Sequence, residues 1–273
     1  MCRVFGCVAA EPVSIRHELL DAENPLIRQS EDHDSGWGMA VHARADGSEP
    51  QCVRFPEAAY ADAEFVSATG MRGRIFNVHV RRATMGDLAL ENTHPFCLGS
   101  YSLGHNGTIR DYPRLLRDGV RAPAGSTDSE AFFNLLMHDY DPGRPVESLR
   151  RAVATAVMRS PFSGLNILFS DGERLFAYRL GMFDLHWVAR PGQLLVSSEK
   201  LTDERWHSVQ QDVLLVLDPD DLEEPHAERL IGDDLVARAD MQKIDHAPHL
   251  RGVERGAAAA ERARTAAAAA AAG

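Results

Sequence analysis

The order of its elements predicts an α+β fold of layered sheets rather than a parallel βαβ repeat. Three observations carry that expectation. Short strand-like runs dominate the first 110 residues. Helical patterns follow between residues 126 and 159. A second family of strands then runs from 165 to 217, with Asp171-Gly172 between two of them as a strong tight-hairpin signal.

Residues 2–9 read as a buried strand, followed by a short helix around Ile15–Leu20. Glu31–Asp34 is acid-rich, and Ser35-Gly36-Trp37-Gly38 leads from it into a strand near Gly38–Ala43. Ala45–Ser48 is a turn signal, so Gln51–Phe55 pairs back as a hairpin. Gly73–Val80 alternates as a strand, with Ile75, Asn77 and His79 on one face. After a loop through Asn92-Thr93-His94-Pro95-Phe96, Gly99–Gly104 forms a strand that ends in His105-Asn106-Gly107. Asp111–Arg117 is a short helix. Ser126–Glu130 opens a longer, buried one, with a hydroxyl cap and acids in the first turn. Pro145–Arg159 is the clearest amphipathic helix, with Val146, Leu149, Val153 and Val157 on one face. Leu165–Ser170, Arg174–Leu180, Phe183–Ala189, Gln193–Ser198 and Asp212–Leu217 complete the strands. From Gly252 the chain is Ala, Arg, Glu and Gly, a composition with little to bury. The expected organisation is a domain over 2–251 and a disordered tail over 252–273.

The 273 residues are enough for a sizeable core, and a formal net charge of −11 argues against nucleic acid or an anionic membrane as partner. No apolar run is long enough to span a bilayer, and no leader pattern is present. Four cysteines without a CxxC pair suggest neither a disulfide framework nor a zinc site, so Cys7, Cys52 and Cys97 read as buried thiols and the compartment as cytoplasmic. The twelve histidines include no HExxH pattern, and no metal or other cofactor is expected.

The chemistry centres on Cys2, directly behind the initiator Met1. Removal of Met1 gives one residue both a thiol and a free α-amine. Their unperturbed pKa values, about 8.5 and about 7.7–8.0, let one attack a carbonyl while the other moves the proton. Asn106 offers a side-chain amide and Gly107 a backbone N–H to an oxyanion. Arg81 can fork onto a carboxylate, and Asp128 can accept from an ammonium. Thiol, oxyanion donors, carboxylate clamp and ammonium clamp together describe a site for glutamine or a γ-glutamyl compound.

Four motifs, met in this order, are Met1-Cys2, Asp34-Ser35-Gly36-Trp37-Gly38, His79-Val80-Arg81-Arg82-Ala83-Thr84, and His105-Asn106-Gly107 with Thr127-Asp128-Ser129-Glu130 downstream. On them the chain resembles the class II glutamine amidotransferases of the N-terminal-nucleophile hydrolase superfamily, over roughly residues 2–217. The resemblance implies a four-layer αββα sandwich and loss of Met1. It makes Cys2 the nucleophile, with its own amine as base. It places Asn106 and Gly107 at the oxyanion, and Arg81 and Asp128 on the α-carboxylate and α-amino groups, with Thr84 and His94 lining the pocket. The expected course is a γ-glutamyl thioester that water hydrolyses, with no cofactor.

Arg82 and Met85 stand where synthase-fused members often carry Trp and His, and too little chain follows residue 217 for an acceptor domain. Any ammonia would pass to a separate acceptor enzyme. The chain thus looks more like the stand-alone branch, which includes the γ-glutamyl amidase of ergothioneine synthesis. The alternative is a non-catalytic, glutamine-binding regulatory module of the same fold.

Overall fold

The computed structural model describes residues 2–117 and 119–243. The Ala-rich tail at 252–273 and the domain boundary at 251 lie outside the described residues. The strands are β1 (Arg3–Val13), β2 (Trp37–His42), β3 (Gln51–Phe55), β4 (Gly73–Val80), β5 (Phe96–Leu98), β6 (Tyr101–Ile109), β7 (Phe162–Ser170), β8 (Leu175–Arg179), β9 (His186–Arg190), β10 (Gln193–Ser197), β11 (His207–Ser208), β12 (Val213–Asp218) and β13 (Asp221–Arg229). The helices are α1 (Leu26–Gln29), α2 (Ala63–Ala68), α3 (Asp128–His138), α4 (Pro145–Arg159) and α5 (Asp233–Arg238).

Two antiparallel sheets stack face to face. One runs β11-β9-β10-β1-β4-β2-β3 and the other β13-β12-β8-β7-β6-β5. Strands buried on both faces need apolar residues on both, and alternation then sorts them between layers. On β1, Val4 and Val8 join Leu168, Leu175 and Val196 between the sheets. Phe5 and Cys7 point the other way, to Ile15, Leu19, Leu26 and Phe65 of the first helical layer. Leu165, Ile167 and Phe169 of β7 face Phe132, Leu136, Leu149 and Val153 of α3 and α4. The result is helices, sheet, sheet, helices, the αββα order that the resemblance implied.

The sequence limits of α4 and β4 match the structure. Pro145 opens α4, where a missing N–H costs nothing, and Arg159 closes it, where a cation meets the carbonyl ends. Thr127 caps α3 by accepting from the Glu130 N–H at 3.3 Å. Three expectations are corrected. His105-Asn106-Gly107 does not follow a strand but lies within β6, which continues to Ile109 past a register shift. β13, which no periodicity announces, is a largely exposed edge strand containing Pro225, the one kind of strand that tolerates a missing donor and an absent apolar face.

The third correction concerns the cysteines. Cys52 of β3 and Cys97 of β5 form a disulfide, leaving Cys2 and Cys7 free. The bond joins the outer strands of the two sheets, so its partners meet only because the sheets stack. Alkylation of denatured, unreduced protein should therefore label two thiols, and all four after reduction. Four labelled thiols without reductant would refute the bond. Among the described residues no helix is long and apolar enough to cross a membrane.

Candidate active site

Register sets the site. β1 pairs with β4 so that Arg3 lies opposite Val80, which brings Cys2 to the end of β4 and the Arg81-Arg82 segment beyond it. The Cys2 sulfur accepts from the Arg82 N–H at 3.5 Å and lies 3.6 Å from the Arg82 carbonyl oxygen. From the second sheet, Asn106 Oδ1 accepts from the Cys2 backbone nitrogen at 3.0 Å. Cys2 thus bridges the sheets, and only 8% of its surface is exposed.

That contact orients Asn106. With Oδ1 committed to the Cys2 nitrogen, the Nδ2 donor makes no hydrogen bond among the described residues. Gly107 follows on the same strand, where a Cβ would lie 1.8 Å from the Gly164 carbonyl oxygen.

Arg81 is 2% exposed. Its Nη1 donates to Asp87 O at 3.1 Å and Ser35 O at 3.5 Å, and its Nη2 to Met85 O at 2.7 Å and Gly86 O at 3.3 Å. The expected fork toward a carboxylate is therefore turned into a collar of backbone carbonyls. The positive charge remains at the site, because guanidinium does not deprotonate in proteins. The Arg81 backbone is tied in too, N–H to Gly36 O at 2.7 Å and carbonyl to Ser35 N–H at 3.0 Å, which accounts for the Ser35-Gly36-Trp37 segment.

Asp128, 3% exposed in the first turn of α3, accepts from the Ile109 N–H at 2.7 Å. Burial raises its pKa, and the nearby His105 and backbone donors oppose the rise. His105 Nε2 lies 3.0 Å from Gly164 O, which can only accept, so Nε2 carries the hydrogen. The Ser129 hydroxyl, 2.8 Å from Nδ1, is then the donor to it. Burial lowers the pKa of this imidazole, and the Asp128 carboxylate, 4.0 Å away, opposes that fall.

Of the other expected residues, Thr84 shares a 2.9 Å hydroxyl contact with Thr108. His94 is 3% exposed and stacks on His79, ring centroids 4.1 Å apart, with both of its nitrogens unpartnered among the described residues. His79 in turn donates from Nε2 to His105 O at 3.1 Å. The structure thus gathers Cys2, Arg81, Asn106, Gly107 and Asp128 where the sheets meet. Thr84 stands beside β6, and His94 is buried between His79 and Phe96.

Two features escaped sequence reasoning. His33 is buried near the nucleophile, its pKa pushed down to about 4 by desolvation first and then by the charge of Arg3. Nothing local in the acid-rich Glu31–Asp34 run signals this. Asn92 ends a short 3-10 turn, Leu90–Asn92, whose sequence was legible only as a motif.

Burial also raises the Cys2 thiol pKa, more than the nearby positive groups and the Arg82 hydrogen bond lower it. The thiolate is the reactive form, so Cys2 in a chain that retains Met1 should alkylate slowly near neutrality. Its rate should climb with pH through a range above that of an ordinary thiol. A plateau below pH about 8 would contradict the burial effect.

The family model described as glutamine amidotransferases class-II matches residues 1–194. An uncharacterized protein of Methanocaldococcus jannaschii is 33% identical over 205 residues, covering 70% of this chain and 54% of that protein. The chain therefore spans about half the length of that relative. The γ-glutamyl-hercynylcysteine sulfoxide hydrolase of Mycolicibacterium smegmatis is 29% identical over 215 residues, 75% of this chain and 89% of the hydrolase. A solved glutamine aminotransferase class-II domain protein from Silicibacter pomeroyi superposes with a TM-score of 0.61 at 20% identity, over 85% of this chain and all of that one. That last likeness speaks to the fold alone.

Proposed function

The chain belongs to the class-II glutamine amidotransferases, and from that premise we propose that it hydrolyses the side-chain amide of glutamine or of a γ-glutamyl compound through Cys2. The observation that carries the reading is the division of labour at Asn106. One side-chain atom receives the Cys2 nitrogen at 3.0 Å, and the other makes no hydrogen bond among the described residues, so it can donate to substrate.

Once Met1 is gone, that nitrogen is an amine, and Asn106 Oδ1 holds it with its lone pair available to the thiol. The amine takes the thiol proton, and the sulfur forms a bond to the side-chain carbonyl carbon. The developing oxyanion faces Asn106 Nδ2 and the Gly107 N–H. The C–N bond breaks, and the α-ammonium returns its proton to the leaving nitrogen. Water then attacks the thioester, giving its proton to the amine, and the C–S bond breaks to release the γ-carboxylate. Because burial disfavours the thiolate, an adjacent base is what such a nucleophile needs.

Arg81 supplies the charge for the α-carboxylate, and Asp128 accepts from the α-ammonium. For Arg81 this requires the carboxylate to compete with carbonyls that it already holds. Thr84 stands at the edge of the substrate, and His94, stacked on His79, supports the site through packing. Transfer of the ammonia to a separate acceptor enzyme is the finer possibility within this reading.

The test is a panel of glutamine, asparagine and several γ-glutamyl amides, assayed for glutamate and for the released amine. Preference for a conjugate over glutamine identifies an amidase. Weak turnover of every γ-glutamyl substrate points to a missing acceptor. Asparagine hydrolysed as well as glutamine would defeat the γ-glutamyl reading.

A further inference from the structure

Asn92 lies outside the groups assigned above, yet it is 3% exposed and every polar atom of its side chain is used. Nδ2 donates to Asp87 O at 3.1 Å and to the Ser126 hydroxyl at 3.3 Å, while Oδ1 accepts from the Ser126 N–H at 2.7 Å. Asp87 O is one of the carbonyls that hold Arg81, at 3.1 Å from Nη1. Ser126 is two residues before Asp128. One amide therefore spans the gap between the collar of Arg81 and the turn that delivers Asp128.

The two loops are shaped around it. A Cβ on Gly86 would stand 2.8 Å from Asn92 Nδ2, and one on Gly125 would stand 2.2 Å from Asn92 Oδ1. Gly86 also has φ +73°, a conformation that L side chains avoid. The far side of the turn is fixed independently, because Glu130 accepts from the Ala124 and Gly125 N–H groups at 2.7 and 2.9 Å. Only a side chain with a donor and an acceptor at this length satisfies both loops. Aspartate lacks the donor that Asp87 O requires, and glutamine is one carbon too long.

We infer that Asn92 is a positioning residue that sets the separation between Arg81 and Asp128. The inference rests on the reading of those two residues as clamps for the α-carboxylate and α-ammonium. Those groups hang on one carbon, so their clamps must be matched to a fraction of an ångström, and a displacement of 1 Å can cost about a hundredfold. The nucleophile just precedes β1 and the oxyanion donors lie on β6, while the Asn92 side chain bonds to Asp87 and Ser126 among the described residues, so loss of Asn92 should spare them.

The test compares wild type with Asn92→Ala and Asn92→Asp on glutamine, on its analogue without the α-amino group (glutaramate) and on its analogue without the α-carboxylate (γ-aminobutyramide). Both variants should raise KM for glutamine by about ten- to a hundredfold and hold kcat within about threefold. Their preference for glutamine over both analogues should shrink. A purely structural residue would lower thermal stability and the active fraction with KM and preference unchanged, and that result would overturn the proposal.

Amide hydrogen exchange, which needs no turnover, separates failure of the inference from failure of the proposed function. In Asn92→Ala, peptides covering 85–91 and 124–129 should lose protection together. If either stays protected, Asn92 does not couple the loops, whatever the enzyme hydrolyses. If both loosen and wild type hydrolyses no γ-glutamyl amide, the coupling stands and the substrate reading falls.

Discussion

Cys2→Ala is expected to abolish amide hydrolysis, with a loss of about 10⁴-fold or more, because no other group at the site can form the thioester. The stability cost should be small. The residue is short, lies just before β1, and among the described residues its sulfur has only long contacts to Arg82, at 3.5 and 3.6 Å. Circular dichroism and Tm should therefore stay close to wild type while ammonia release disappears. Equal turnover by the variant would remove Cys2 from the mechanism. The same logic predicts that protein shown by intact mass to retain Met1 is inactive, since an amide nitrogen cannot serve as base. In the processed enzyme, rate should rise with pH as the α-amine loses its proton, around an unperturbed pKa of about 7.7–8.0. Below that range the amine is protonated and the thiol keeps its hydrogen.

Gly107→Ala should be the most damaging small substitution. The new methyl would sit 1.8 Å from Gly164 O, 2.5 Å from Gly164 C and 2.7 Å from His105 Nε2. The first two are backbone atoms of the neighbouring strand, so β6 and β7 must separate locally. Overpacking against backbone in a buried ladder should cost about 3 kcal/mol or more, lowering Tm by about 6–12 °C. The same shift carries Asn106 and the Gly107 N–H away from the sulfur. Loss of one oxyanion donor alone is worth about 10²–10³-fold in kcat. Differential scanning calorimetry and the glutamine assay check the two halves separately. A variant that melts within about 2 °C of wild type would mean that the strands absorb the methyl without parting.

Much of the scaffold was legible in the chain because local physics decides it. The spacing of Leu149, Val153 and Val157 behind Pro145 specifies α4. Alternation from Gly73 to Val80 specifies β4 and puts Asn77 and His79 on one face. There Asn77 reaches Leu168 O and Ser102 across the sheets, and His79 reaches His105 O. β13 was missed because an exposed edge strand has no periodic apolar face to read. The Cys52–Cys97 bond was missed because its partners are 45 residues apart in different sheets.

By itself, the sequence determined which reactive groups this protein owns and in what order. A cysteine stands behind Met1, an arginine lies past one strand, an Asn-Gly pair belongs to another, and an aspartate opens a helix. Each follows from residue type and short-range pattern. Only the tertiary structure decided what those groups do to one another. It spent Asn106 Oδ1 on Cys2 and left Nδ2 without a partner among the described residues, turned the Arg81 fork into a carbonyl collar, and buried His94 against His79. The physical reason is that strand register and sheet stacking set these contacts. Both are fixed by burial summed over two whole sheets and not by any local stretch of chain.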